Sequence, residues 1–415
     1  MTRSYLTLGV ASLLLPALAH ANTNGSEAPL ATTPIADDFS KVYWNNDLRF
    51  ETEDKQFTTR IGGRIQFDGW YTDDRGQGGT DGSDSDGWQF RRARIYIQGT
   101  VYGNVHYKAQ YDFAGSTAAA PDWRDVYVKI DELLGPLYLQ GGQFFVPFGL
   151  ETQSSSNSQT FMERDPLVTL GPGNLGRSTG FATGGDFGEK NGTWKVGIFN
   201  VASGEDGNAI GGTYEGAGRA TYKFDLDEGS FVHVGGSVAG GSADGVQFRA
   251  RPGTSLGNRL VDTGVIANAE STQRFGGEVA GVFGPFSAQA ELIHTNVYSP
   301  TPNDPGFTGY YLLLSYFLTG ESRSYSEGLF STIKPTNPWK GWGEGSGAWE
   351  IAFKYSLLDL SDVAGSGDEL MLLSGGINWY LNTNARITFN YTTGENDASP
   401  SVDQDSYGVR FQVTY

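Results

Sequence analysis

The sequence predicts an all-β protein whose antiparallel strands close into a transmembrane barrel. Three observations carry that prediction. Period-two alternation recurs in about sixteen stretches, an apolar leader opens the chain, and no later apolar run is long enough to cross a bilayer as a helix. A barrel satisfies its backbone groups between neighbouring strands and needs each strand to be only half apolar, so the lack of apolar helices is compatible with membrane insertion.

The leader, MTRSYLTLGVASLLLPALAHA, combines Arg3 with an apolar stretch from Tyr5 to Leu18 and ends on Ala19, His20 and Ala21. A secretory signal peptide cut after Ala21, residues 1–21, has this make-up. The stretch is broken at Pro16 and falls short of the roughly 20 apolar residues that a membrane helix needs. Residues 22–56 are polar and turn-rich, with Pro29, Pro34 and the Asp37-Asp38 pair, and read as a short, partly mobile periplasmic lead-in.

From Phe57 to Tyr415 the barrel grammar takes over. In the first run Phe57, Thr59, Ile61, Gly63, Ile65 and Phe67 share one face, and Thr58, Arg60, Gly62, Arg64, Gln66 and Asp68 share the other. The next, WQFRRARIYIQGT, sets Ala93, Ile95 and Ile97 against Arg92, Arg94, Tyr96 and Gln98. Comparable runs follow near 104–113, 123–131, 135–146, 178–187, 193–201, 216–225, 229–240, 272–283, 285–298, 308–318, 347–358, 370–381, 384–394 and 405–415. The total is even, as single-chain bacterial barrels require.

Tight connections at Gly103-Asn104, Asp227-Glu228-Gly229, Gly284-Pro285 and Asn382-Thr383-Asn384 predict the periplasmic end. Long, Gly-rich and acidic connections such as residues 73–87 and 241–271 predict the outer end. The aromatic stretch with Lys334, Pro335, Pro338, Trp339 and Trp342 either caps the pore mouth or joins an interfacial girdle; the sequence leaves both open. The last run places Tyr407, Val409, Phe411, Val413 and Tyr415 on the lipid face and resembles the aromatic C-terminal signature of outer-membrane proteins.

Composition excludes several classes. The chain has no cysteine, hence no disulfide, thiolate zinc site or cysteine nucleophile. A formal net charge of −18 argues against nucleic acid as a partner. After removal of the leader only His106, His233 and His294 remain, and none sits in a pattern with a nucleophile and an orienting acid. No motif calls for a catalytic activity, a cofactor or a metal.

If apolar positions face lipid, alternation assigns Arg60, Arg64, Arg92, Arg94, Lys108, Lys129, Arg219, Lys223, Arg249, Arg251, Arg274, Lys354, Arg386 and Arg410 to the lumen. Against them stand only Asp68, Asp112, Asp125, Glu278 and Glu350, with most other acids expected in loops. A basic passage of low dielectric concentrates anions and repels cations, and guanidinium forks suit phosphate and carboxylate oxygens. The expected function is diffusion of small anions through a water-filled channel; a weakly selective general-diffusion pore is the alternative.

The motifs GGRIQFD, WQFRRARIYI, GGQFFVPFGLE and YFLTGESRSY resemble the phosphate-selective porin O and P family, from about Phe57 to Tyr415. The resemblance implies a trimeric barrel of about sixteen strands in the bacterial outer membrane, among lipid and lipopolysaccharide. It also implies an arginine ladder leading to a constriction at an inward-folded third loop, and phosphate or polyphosphate among the candidate solutes. By motif match Arg91 and Arg92 belong to the ladder, whereas alternation prefers Arg92 and Arg94. The matching loop, GLETQSSSNSQTFMERDPL, carries no lysine, unlike the phosphate-specific members; its basic residue is Arg164, which joins the expected anion pathway.

Overall fold

A computed structural model describes residues 41–74, 85–114, 122–172, 176–200, 213–227, 229–300, 304–363, 369–397 and 403–415. The expected leader, the lead-in up to residue 40 and most of the acidic 73–87 connection lie outside the described residues.

Sixteen long strands form the wall: β1 Thr58–Asp74, β2 Ser85–Val101, β3 Val105–Asp112, β4 Asp122–Leu134, β5 Leu137–Phe145, β6 Arg177–Phe187, β7 Gly192–Asn200 and β8 Tyr214–Asp225 make the first half. The second half is β9 Phe231–Ser242, β10 Ser271–Phe283, β11 Phe286–Tyr298, β12 Gly306–Phe317, β13 Ala348–Asp359, β14 Glu369–Tyr380, β15 Ala385–Asn396 and β16 Asp403–Thr414. Each pairs antiparallel with the next, and β16 returns to β1 from Gln404↔Asp74 to Thr414↔Arg64, so the wall closes on itself. Side chains alternate as expected for a barrel in lipid. Ile65, Ile95, Ile97, Phe353, Phe389 and Phe411 are exposed outward, while Arg64, Gln66, Asp68, Arg94 and Arg410 are buried inward.

Part of the expected lead-in is built into the sheet. Lys41–Trp44 and Leu48–Glu51 form a hairpin, and its second strand pairs with β1 from Leu48↔Ile61 to Glu51↔Thr58. The cause lies in the stagger of the barrel: β16 stops where Tyr415 bonds Gly63, so the start of β1 would otherwise present an open edge. Buried Asp47 at the hairpin turn fixes it, accepting from Arg49 Nε at 2.6 Å and from the Tyr96 hydroxyl at 3.0 Å.

The short-turn end departs from expectation once. The β12–β13 connection, residues 318–347, lies at the end of the tight turns yet is long, and it carries a small hairpin of Tyr325–Ser326 and Leu329–Phe330. In its aromatic part Trp339 packs edge-on against Trp379, which stacks on Trp349, both on the outer face of the wall.

Candidate functional site

After β5 the chain turns into the lumen. Residues 146–172 carry a short helix, Leu150–Gln153, and a 3-10 turn, Pro166–Leu170, and bury Phe148, Leu150, Met162, Leu167 and Leu170 completely. Such apolar side chains inside a polar lumen need partners, and small wall residues provide room. A Cβ on Gly309 would sit 2.9 Å from Leu167 Cβ, and one on Gly376 would sit 3.2 Å from Phe161.

Polar anchors then follow one another around the wall. On β11 the Glu291 carboxylate accepts the Leu150 and Glu151 backbone N–H groups, and Thr295 Oγ1 donates to Leu170 O at 2.9 Å. Asp165 takes Ser356 Oγ at 2.5 Å and lies 3.2 Å from Lys354 Nζ on β13. Asn378 on β14 donates to Thr160 O, Arg386 on β15 to Gln159 O, and Arg410 on β16 to Met162 O. Finally Gln66 and Arg64 of β1 donate to Ser156 O and Oγ at 3.1 and 2.6 Å. These anchors run from β11 through β16 to β1, and the Gly149 N–H adds one to Ser237 Oγ on β9 at 3.3 Å.

The conflict between motif and alternation over Arg91, Arg92 and Arg94 dissolves in a β-bulge. On β2 the register passes from Gln66↔Arg92 to Phe67↔Phe90, which makes Arg91 the extra residue. Phe90 keeps its outward place, and three arginines in a four-residue stretch face inward. Arg91 makes a two-pronged bond to Glu163 of the loop at 2.8 and 2.9 Å, Arg92 donates to Gln66 Oε1 at 2.8 Å, and Arg94 meets Asp112 at 2.6 Å. A second register shift, between Ala109 and Tyr111 against β4, lets adjacent Arg124 and Asp125 both point inward. Arg124 lies 3.6 Å from Asp112, and Asp125 accepts from Arg177 at 3.0 Å and lies 3.3 Å from Lys108.

The other expected pathway residues divide between paired and unpaired cations. Arg410 grips Asp68 at 2.7 and 2.6 Å, Arg219 grips Glu278 at 2.5 Å, Lys129 meets Asp131 at 2.8 Å, and Lys223 meets Asp225 at 2.7 Å at the short-turn rim. Arg60 lies 3.6 Å from Asp47 of the N-terminal hairpin. By contrast Arg64, Arg92, Arg164 and Arg386 have no carboxylate within 4 Å among the described residues; they bond neutral groups, Arg164 through the Glu151 and Ser154 carbonyls. Burial, then Arg177, lowers the Arg164 guanidinium to about 10, which leaves it charged at neutral pH.

Two expectations are corrected. Arg249 and Arg251 lie on no wall strand: they sit in the connection 243–270, whose short ladder Arg249↔Asp262 and Ala250↔Val261 folds inward, with Arg251 Nε donating to Gly257 O. That connection buries Phe248, Leu260 and Val261 in the same apolar cluster as Leu167 and Phe307, so hydrophobic burial pulls it in. The lumen acids are also more numerous than expected, because Glu215 and Glu291 on strands and Glu163 and Asp165 on the loop join those expected from the wall.

The sequence reading missed Arg124, Arg177, Lys195 and Arg323 among the inward cations. Arg177 stacks on Phe145 at 3.7 Å, Lys195 bonds Gln140 at 3.0 Å, and Arg323 bonds Gln289 at 2.8 Å from the β12–β13 connection. Lys195 alternates correctly and was legible; Arg124 and Arg323 were not, one lying in a bulge and the other outside any strand.

Comparison with known proteins fits this architecture. The family model of phosphate-selective porins O and P matches residues 59–415. Porin O of Pseudomonas aeruginosa is 28% identical over 95% of this chain and 95% of its own length. The anion-selective porin from Comamonas acidovorans has a TM-score of 0.53 at 14% identity, covering 86% of this chain and 99% of that one. A trimer form of OmpT, an outer membrane protein of Vibrio cholerae, has a TM-score of 0.50 at 10% identity, again over 86% of this chain and 99% of that one. With a wall of sixteen strands, an inward third loop and a family match over nearly the whole barrel, the chain belongs to the phosphate-selective porin O and P family and is a porin of the bacterial outer membrane.

Proposed function

We propose that the channel conducts small anions, with Arg64, Arg92, Arg164 and Arg386 at its constriction as the main source of the preference. The observation that carries this reading is that Arg164 lies on the loop, Arg64 and Arg386 bond it, and Arg92 bonds Gln66, which itself bonds Ser156 of the loop, all four without a carboxylate within 4 Å among the described residues. Fixed charge of one sign in a passage of low dielectric is balanced by mobile counter-ions, so anions accumulate there. Arg60, Arg91, Arg94, Lys108, Lys129, Arg219, Lys223, Arg249, Arg251 and Arg410 extend the basic path to both mouths.

A weakly selective pore is the second reading, favoured by the carboxylates that already hold Arg94, Arg219 and Arg410. Phosphate is one candidate solute, and the working unit on this reading is a homotrimer, supported by the trimer form of the OmpT porin. Reversal potentials across a planar bilayer in a potassium chloride gradient test the proposal. A potential of the sign set by potassium would reject it, and native mass spectrometry showing only monomer in mild detergent would reject the trimer.

A further inference from the structure

Two carboxylates of the inward loop differ in what surrounds them: Asp165 meets β13, whereas Glu163 meets Arg91 of β2 and Arg410 of β16. Asp165 is held by Ser356 and Lys354 with its side chain only 1% exposed, so it is sealed into the wall. Glu163 is different. Its two oxygens take Nε and Nη2 of Arg91 at 2.8 and 2.9 Å, and Oε1 also takes Nη2 of Arg410 at 3.0 Å. The side chains of the Arg91–Glu163 pair are 27% and 13% exposed, so the bond is open to water.

Arg410 already has two bonds to Asp68, whereas Arg91, the extra residue of the bulge, has Glu163 as its carboxylate. Two parallel N–H···O bonds are what a guanidinium also offers to a free carboxylate or a phosphate. A tethered carboxylate in that position therefore occupies the seat that an oxyanion in transit would take.

Resting on the anion-porin reading, we propose that Glu163 is a specificity-determining residue: a resident anion that competes with passing oxyanions for Arg91 and Arg410 and so keeps their occupancy short. Conduction needs binding favourable enough for entry and weak enough for release, and a displaceable internal competitor supplies the second condition. Chloride, a single spherical atom, can lie between the two N–H groups but cannot take two parallel bonds as a pair of oxygens does. The competition therefore bears on oxyanions more than on chloride.

The test uses the full-length porin in planar bilayers. Wild type, Glu163→Gln, Glu163→Asp and Arg91→Gln/Glu163→Gln are compared for reversal potential and for block of the chloride current by added inorganic phosphate, with barrel integrity read from heat-modifiable migration. Glu163→Gln is expected to raise the anion-to-cation permeability ratio and to lower the half-blocking phosphate concentration severalfold. Glu163→Asp should stay near wild type, and the double variant should lose the gain in phosphate block. If the Gln variant fails to form a barrel, Glu163→Ser, which also lacks the charge, takes its place.

An unchanged phosphate block in the charge-free variant overturns the proposal. So does a rise in cation and anion conductance together with lower selectivity, since that is what release of a merely structural pin produces. A wild-type channel that prefers potassium would defeat the anion-porin reading itself, and that result is read before any variant is made.

Discussion

The Glu291 carboxylate on β11 accepts the backbone N–H of Leu150 at 2.9 Å and that of Glu151 at 3.0 Å, so a wall residue caps the first turn of the inward loop. Glu291→Ala leaves both donors buried without partners, at a cost of about 1 to 3 kcal/mol each. The expected outcome is a lower temperature for loss of the heat-modifiable band and a larger, noisier single-channel current. Wild-type values for both would show that the loop is held elsewhere.

Gly309 sits under Leu167, and a Cβ there would come within 2.9 Å of the leucine Cβ and 3.3 Å of its Cα. Backbone cannot yield as a flexible side-chain end can, so Gly309→Val pushes the 166–170 turn off the wall. Since this segment stands in the lumen, its displacement should reduce single-channel conductance while the barrel still forms. A Val variant with wild-type conductance would contradict the close approach.

Most of the wall was legible in the sequence because lipid on one side and water on the other impose strict alternation; Ile95 and Ile97 alone orient β2. Alternation fails where one residue is inserted. Arg91 breaks the period by a single step, and no local signal separates a bulge from a simple strand at FRRAR. Anchoring of the inward segments was illegible for another reason. Leu167 finds Gly309, and Phe248 finds Phe307, across long sequence separations that only the closed barrel brings together. The N-terminal hairpin escaped notice because its strands are four residues each, too short for alternation to register.

Pairing decides which arginines govern selectivity. Arg94 and Asp112 lie 2.6 Å apart, so Arg94→Gln/Asp112→Asn removes equal and opposite charge and should leave the reversal potential in place. Arg64→Gln/Arg92→Gln removes two positive charges whose bonded partners, Ser156 and Gln66, are neutral, and should shift the potential toward that of potassium. Equal shifts in the two double variants would count against this division.

Glu163 also sets an expectation for pH. Burial by itself would raise its pKa, but Arg91, Arg92 and Arg410 outweigh burial and hold the carboxyl well below the ordinary range. A carboxyl with a depressed folded value contributes fully above its unfolded value of about 4.3 and loses that contribution only as pH falls through the lower folded value. The heat-modifiable transition of the wild type should therefore receive a constant contribution from Glu163 between about pH 8 and about pH 5. The measurement is the difference in transition temperature between wild type and Glu163→Gln across that range; a difference that collapses near pH 6 would place the carboxyl in a different environment.

The last prediction concerns the small hairpin in the β12–β13 connection. Gly328 O accepts from Arg219 at 2.9 Å, the Tyr325 hydroxyl bonds His233 Nδ1 at 2.6 Å, and Phe330 O accepts from Ser158 of the inward loop at 3.2 Å. The residues it touches on β8 and β9 point inward, so the hairpin occupies lumen near the short-turn end on that side. Tyr325 packs on Phe231 at 4.8 Å and Arg323 lies over Phe330 at 3.6 Å, which gives the hairpin an apolar footing as well as hydrogen bonds. Deleting residues 324–331 leaves every wall strand intact and keeps β12 and β13 joined. The expected result is a folded barrel with higher single-channel conductance. Its anion preference should fall as well, because Arg323, an inward cation, loses its seat on Phe330, and Ser158 of the inward loop loses an acceptor. Conductance equal to wild type in a heat-modifiable deletion variant would show that ions pass without meeting the hairpin.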